Sequence, residues 1–195
     1  MANNNKQKLE LTWIGKNNPE YDIANIEPRI LEENPDLSNC VNDPETENMI
    51  IHGDNLLALK ALLPEYEGKI KCIYIDPPYN TGNAFEHYDD SVEHSTWLSL
   101  MRPRLELLRM LLEDEGLFYV QLDDNEMHYM KILCDEVFGR DNFVACLPVI
   151  MNLKGNQDQF GFAGTHEYII VFAKQKNLSK INQFDVDEDG LVEWN

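Results

Sequence analysis

Asp76-Pro77-Pro78-Tyr79, continued by Asn80-Thr81-Gly82, is the stretch best equipped for chemistry. Consecutive prolines fix φ and stiffen the chain, and neither has an N–H to donate, so the carbonyls there stay available as acceptors. One short arc therefore presents a carboxylate, backbone acceptors and an aromatic face. That set suits a planar ring carrying an NH₂ group. The amine would donate to Asp76 and to a carbonyl, and the ring would stack on Tyr79. The bland alternative is an ordinary proline-rich β-turn.

The elements around the turn give it a place. Lys69–Ile75 is a β-branched and aromatic run (Ile70, Cys72, Ile73, Tyr74, Ile75) without a turn residue. It reads as a buried strand of a parallel sheet, and open α/β sheets place their ligands at the carboxyl ends of such strands. Before it, Met49–His52 reads as a short strand ended by Gly53. Asp54 reads as the cap of a helix over Asn55–Leu63, stopped by Pro64. After it, Trp97, Met101, Leu105, Leu108 and Leu112 form one apolar helical stripe, with Ser95 as cap. Pro103 predicts a break near Arg102. Gly116 ends this helix, and Leu117–Leu122 reads as a strand. Asp123-Asp124-Asn125-Glu126 has capping-box form and opens a helix with Met127, Met130, Cys134 and Val137 inward, ended by Gly139. Phe143–Ile150 and His166–Ala173 are further strands, and Asn152–Thr165 between them reads as a loop. Residues 1–47 form an N-terminal extension with a short helix at Ile23–Glu33. Residues 48–175 form the main unit, and 176–195 an acidic linker. The alternation of strand and helix predicts an α/β fold with a doubly wound, Rossmann-like sheet.

The chain has 195 residues, 43% of them hydrophobic, enough for one real core. No apolar run is long enough for a membrane span. Its formal charge is −19, which opposes a phosphate backbone over most of the surface. The cysteines (Cys40, Cys72, Cys134, Cys146) show no paired spacing and read as reduced thiols of a cytoplasmic protein.

Several blocks occur in a telling order: Leu11–Lys16 (LTWIGK), His52-Gly53-Asp54-Asn55, Asp76–Gly82, Trp97–Met101 with Pro103-Arg104-Leu105, Gln121–Glu126 and His166–Ile170. Together they resemble the modification subunit of type III restriction–modification systems, a permuted class of adenine-N6 DNA methyltransferase. The resemblance covers nearly the whole chain. Asp at position 76 points to the adenine-N6 branch, whereas Ser marks the cytosine-N4 branch, the runner-up.

The resemblance implies a mechanism and partners. An adenine flips out of double-stranded DNA into a pocket. Asp76 and the Pro77 carbonyl hold its N6 amine, Pro78 completes the rigid turn, and Tyr79 stacks on the base. The amine attacks the methyl group of S-adenosylmethionine directly, with no covalent enzyme intermediate. Asp54 resembles an acidic residue that contacts the donor, although a helix cap explains it equally well. In this class the catalytic half precedes a target-recognition domain and then a Phe-x-Gly-x-Gly donor loop. No such loop occurs here. Phe162-Ala163-Gly164-Thr165 imitates it with a single glycine and reads as a connection. The chain therefore reads as an N-terminal fragment whose sheet is incomplete on the C-terminal side and whose DNA contacts lie largely elsewhere. A homodimer of modification subunits and a restriction subunit are the implied partners. A non-enzymatic interaction module is the alternative from another class.

Other features read more plainly. Asp123, Asp124 and Glu126 suit capping better than metal binding. His166-Glu167 lacks the second histidine of a zinc helix. His52, His87, His94 and His128 show no ligand spacing. Asp185–Gly190 imitates half of a calcium loop but suits a solvated linker better. No metal site is expected.

Overall fold

The computed structural model describes residues 10–38, 45–80, 93–151, 156–157 and 163–182. A four-stranded mixed sheet forms its centre, in the order β1 (Ile70–Ile75), β2 (Leu112–Leu122), β6 (His166–Ala173), β3 (Phe143–Ile150). β1 and β2 run parallel, while β6 is antiparallel to both β2 and β3. A two-stranded ribbon pairs β4 (Asn156–Gln157) with β5 (Ala163–Gly164). Helices α1 (Asn55–Tyr66), α2 (His94–Leu111) and α3 (Met127–Cys134) complete the α/β architecture.

The core lies on one face of the sheet. Trp97, Met101, Leu105 and Leu108 of α2 pack with Phe118, Val120 and Leu122 of β2. Met130, Leu133 and Cys134 of α3 join Ile170 and Phe172 of β6 in the same cluster, and Leu59 of α1 packs against it. The period-two burial of β2 follows from this cover, because alternate residues of a strand face opposite sides. The opposite face is more open: Cys72, Tyr74 and Leu147 are exposed there.

Three expectations are corrected. First, α2 is unbroken across Pro103. The missing hydrogen bond costs about 3 kcal/mol in an isolated helix. Here nine buried residues, Pro103 itself among them, hold the helix against the core. Its cap is Glu93, not Ser95, with the Glu93 carboxylate accepting the Ser95 N–H at 2.8 Å. α1 also continues through Pro64 to Tyr66, although none of its residues is fully buried, because Pro64 falls in the last turn and disturbs little of the helix. Second, Met49–His52 makes no ladder and Ile50 is fully exposed, because no strand among the described residues lies beside it. β1 is likewise an edge strand with Lys71, Cys72 and Tyr74 exposed, rather than a strand buried on both faces. Third, Ile23–Glu33 is not helical. The segment instead carries a 3₁₀ turn at Pro19–Tyr21 and the buried Ile26.

The extension is tied to the core. The Trp13 indole donates to Ser99 Oγ at 2.8 Å, and Lys16 reaches Glu136 at 2.9 Å. Arg102 donates to the Lys16 carbonyl at 2.9 Å. Gly139, with φ +92°, ends the turn that follows α3, as its residue type predicts. The sequence-predicted strands Phe143–Ile150 and His166–Ala173 match β3 and β6. Most of the loop between them, His87, Cys40 and the Asp185–Gly190 stretch lie outside the described residues.

Candidate active site

Asp76 emerges from the carboxyl end of β1, as the sequence predicts, and is exposed. Pro77, Pro78 and Tyr79 are half-buried behind it. The turn is fastened from α2: the Trp97 indole N–H donates to the Pro78 carbonyl at 2.9 Å. Trp97 is itself buried, so the hydrogen bond ties the turn to the hydrophobic core. This contact occupies the Pro78 oxygen and so distinguishes it from the Pro77 oxygen, the carbonyl paired with Asp76 in the sequence reading.

Asn80 closes the turn with φ +59°, a left-handed conformation that Asn tolerates better than most residues. Its side-chain amide donates to Glu126 Oε1 at 2.6 Å. His94 Nδ1 meets the same oxygen at 2.7 Å. Glu126 is completely buried, and its other oxygen, Oε2, has no hydrogen-bond partner among the described residues. Burial therefore pushes its carboxyl above the usual range, partly offset by the bonds from Asn80 and His94. The capping-box expectation fails here. Glu126 does not reach back to cap α3 but turns inward to hold the end of the Pro-Pro turn. Asp123 makes an Asx turn instead, accepting from the Asn125 N–H at 3.0 Å. Burial also raises the Asp123 carboxyl, with Asp124 and Glu167 adding repulsion.

Tyr79 is held by its hydroxyl. The phenol donates to Glu167 Oε2 at 2.8 Å, and the Gln121 side-chain amide donates to the same oxygen at 2.5 Å. Gln121 in turn accepts from the Tyr74 hydroxyl. Burial, followed by the bonds to Glu167 and Asp76, pushes the Tyr79 phenol far above its ordinary value, so it is a firm donor at neutral pH.

Asp54 stands at the N-terminus of α1 and is exposed. Its Oδ1 accepts the N–H groups of Leu56 and Leu57 at 2.8 and 3.2 Å, so it acts as the helix cap. Cys134 is buried among apolar groups, with its thiol pushed up by burial. It has no route to act as a nucleophile. Among the described residues no group of three or more His, Cys, Asp or Glu side chains is placed to hold a metal, and no helix is long and apolar enough to cross a membrane.

Sequence reasoning singled out the turn but missed Gln121, Glu126, Glu167 and His94 as its supports. Their signal was position alone: three of the four fall within the ordered blocks, at the ends of β2 and β6 that share an edge with the carboxyl end of β1.

The turn stands at the carboxyl end of a parallel strand and is backed by an α/β core. The chain belongs to the DNA methylase family, whose model matches residues 70–190. Among its relatives, the Mod subunit of the type III restriction–modification enzyme EcoPI from Escherichia phage P1 is 40% identical, over 97% of this chain and 34% of that protein. The EcoP15I Mod subunit of Escherichia coli is 34% identical, over 88% of this chain and 31% of that protein. The type II methyltransferase M.KpnI of Klebsiella pneumoniae is 36% identical, over 71% of this chain and 35% of that protein. The chain thus spans about a third of the length of these relatives.

Proposed function

We propose that this chain supplies the base-holding part of a DNA adenine-N6 methyltransferase, the modification component of a restriction–modification system. The observation that carries the reading is the Asp76-Pro77-Pro78-Tyr79 turn, fastened through Trp97 to the core and presenting Asp76 outward.

S-adenosylmethionine, the methyl donor of the family, brings an electrophilic methyl group. This chain's part is to prepare the amine. Asp76 and the Pro77 carbonyl accept the two N–H bonds of the adenine N6 group and draw its lone pair out of the ring. Tyr79 covers the ring face. The turn is fixed before the base arrives, so positioning and electrostatics supply the rate. Asp76, as a carboxylate, also balances the positive charge that grows on nitrogen as the methyl bond forms. Asp54 fits the donor only in part, because Oδ1 is engaged as the cap and only Oδ2 remains to be offered.

Duplex DNA, a second modification subunit and a restriction subunit are the partners of this reading, and the cytoplasm is its compartment. Residues 48–175 then form the catalytic unit, with 1–47 and 176–195 as flanking segments. The test is a chimera in which this chain replaces the matching third of the phage P1 relative. Mass analysis of nucleosides from DNA treated with it should find N6-methyladenine, lost on Asp76→Ala. Finding N4-methylcytosine would transfer the reading to the cytosine branch.

A further inference from the structure

The Tyr79 hydroxyl has no task in a reading that uses only the ring face, yet it sits in a directed chain of hydrogen bonds. Tyr74 lies on β1, Gln121 on β2 and Glu167 on β6. Strand register brings the three together: Tyr74 pairs with Tyr119, and Gln121 with Ile169, two residues from Glu167. A carboxylate only accepts, so Gln121 must turn its NH₂ towards Glu167 and its carbonyl towards Tyr74. The Tyr74 hydroxyl then donates to Gln121, while Gln121 and Tyr79 both donate to Glu167 Oε2. At each step along this line a donor faces an acceptor, and Asp76 is a further acceptor beside the Tyr79 hydroxyl.

We propose that Glu167, braced by Gln121, is a positioning residue that anchors the outer end of the Tyr79 ring through its hydroxyl. The proposal rests on the reading of Tyr79 as the face that receives the base. Glu167 does not touch the substrate. It holds the outer end of a half-buried ring whose inner part packs against the core, so that the flipped base meets a surface already in place. Ordering the ring beforehand removes that cost from the binding step. It also explains why a tyrosine, rather than a phenylalanine, suits this position in this chain.

The 195-residue chain labelled with ¹³C at the tyrosine ring carbons tests this without requiring activity. The Tyr79 signal is the one that disappears in Tyr79→Phe. In the parent chain it should remain that of a neutral phenol at pH values where an ordinary tyrosine, near about 10, has titrated. In Glu167→Gln the titration should move down, because a neutral amide replaces the carboxylate, while at neutral pH the ring signals keep their parent positions and widths, because the amide oxygen still accepts. In Glu167→Ala the ring signals should shift and broaden as the outer end of the ring loses its anchor, and the titration should move down. Gln121→Ala should give an intermediate loss. A Tyr79 signal unchanged in both position and line shape by Glu167→Ala would overturn the proposal.

A second measurement separates the underlying reading. In the chimera, a fluorescent adenine analogue at the target position brightens on leaving the stack and dims when a ring packs on it. If Tyr79→Ala leaves the dimming intact while Glu167 still governs the ring signals, the stacking reading fails and the positioning role stands. If stacking needs Tyr79 and Glu167→Ala weakens it in the parent but not in Tyr79→Phe, both hold.

Discussion

At the scale of single residues, Asp76 is the most exacting position. Its side chain leaves the sheet at a strand end and is exposed, so Asp76→Ala opens no cavity in the core. The substitution should leave the unfolding midpoint nearly unchanged and abolish methyl transfer in the chimera. Asp76→Asn should lose less, because an amide oxygen still accepts one N–H although the charge is gone. Activity of the alanine variant within about tenfold of the parent would mean that the carboxylate does not hold the amine. Glu126 makes a prediction of another kind. Glu126 and Asp123 both hold their protons more tightly when folded than when unfolded. Between the ordinary carboxyl value, about 4, and the raised native values, the unfolded chain is the more deprotonated. Their contribution to stability is therefore full below that ordinary value and is lost as pH rises through the raised ones. Glu126→Gln has no proton to release and should remove its share of the decline. Urea unfolding across a pH series reads this directly, and identical slopes in parent and variant would show that Glu126 ionises on folding without cost.

At the scale of elements, the first half of β2, directly after α2, offers the sharpest test. A Cβ added at Gly116 would lie 2.9 Å from the Glu113 carbonyl and from a Leu112 methyl, and 3.0 Å from the Ile70 carbonyl of β1. Two of these neighbours are backbone and cannot step aside cheaply. Gly116→Ala should destabilise the fold by about 1–3 kcal/mol, the usual range for overpacking. A denaturation midpoint equal to the parent's would show that the β1–β2 junction can spread. Gly116 also shows what was legible in the sequence. As punctuation it was found, but it was read as a helix stop, whereas it permits a close approach between two strands. The regular strands β3 and β6, with their apolar runs, could be placed from pattern alone, and so could the apolar stripe of α2. Pro103 misled because helix propensity is local while the burial that overrides it is tertiary. Glu126 misled because its spacing from Asp123 fits a capping box, and only the folded neighbourhood offers it Asn80 and His94 instead. The Asp-Pro-Pro-Tyr turn could be found because its chemistry lies in consecutive residues. Its supports could not, since they come together only across three strands.

At the scale of the whole molecule, charge decides what the chain can do unaided. With a net charge of −19 it should be repelled by duplex DNA over most of its surface. The isolated chain should therefore give no mobility shift with duplex DNA and transfer no labelled methyl group to it. Binding that weakens steeply with added salt would sink this expectation, since it would reveal a basic surface that releases counterions.

The two outer strands of the sheet are unequal. β3 contains Pro148, which has no N–H to give a neighbouring strand. β1 contains no proline and, among the described residues, pairs on one side only, with β2. Its other side thus offers a row of backbone donors and acceptors that no described strand takes up. Such a rim acts as a template for any extended chain that reaches it. Purified at high concentration, this polypeptide should stick to itself by strand addition, with Lys71 as the single charged residue along that rim to resist it. Cys72→Lys would add a second charge on the exposed face of this edge strand and should slow the growth of aggregates seen by light scattering. Growth at the parent's rate would place the sticky surface elsewhere.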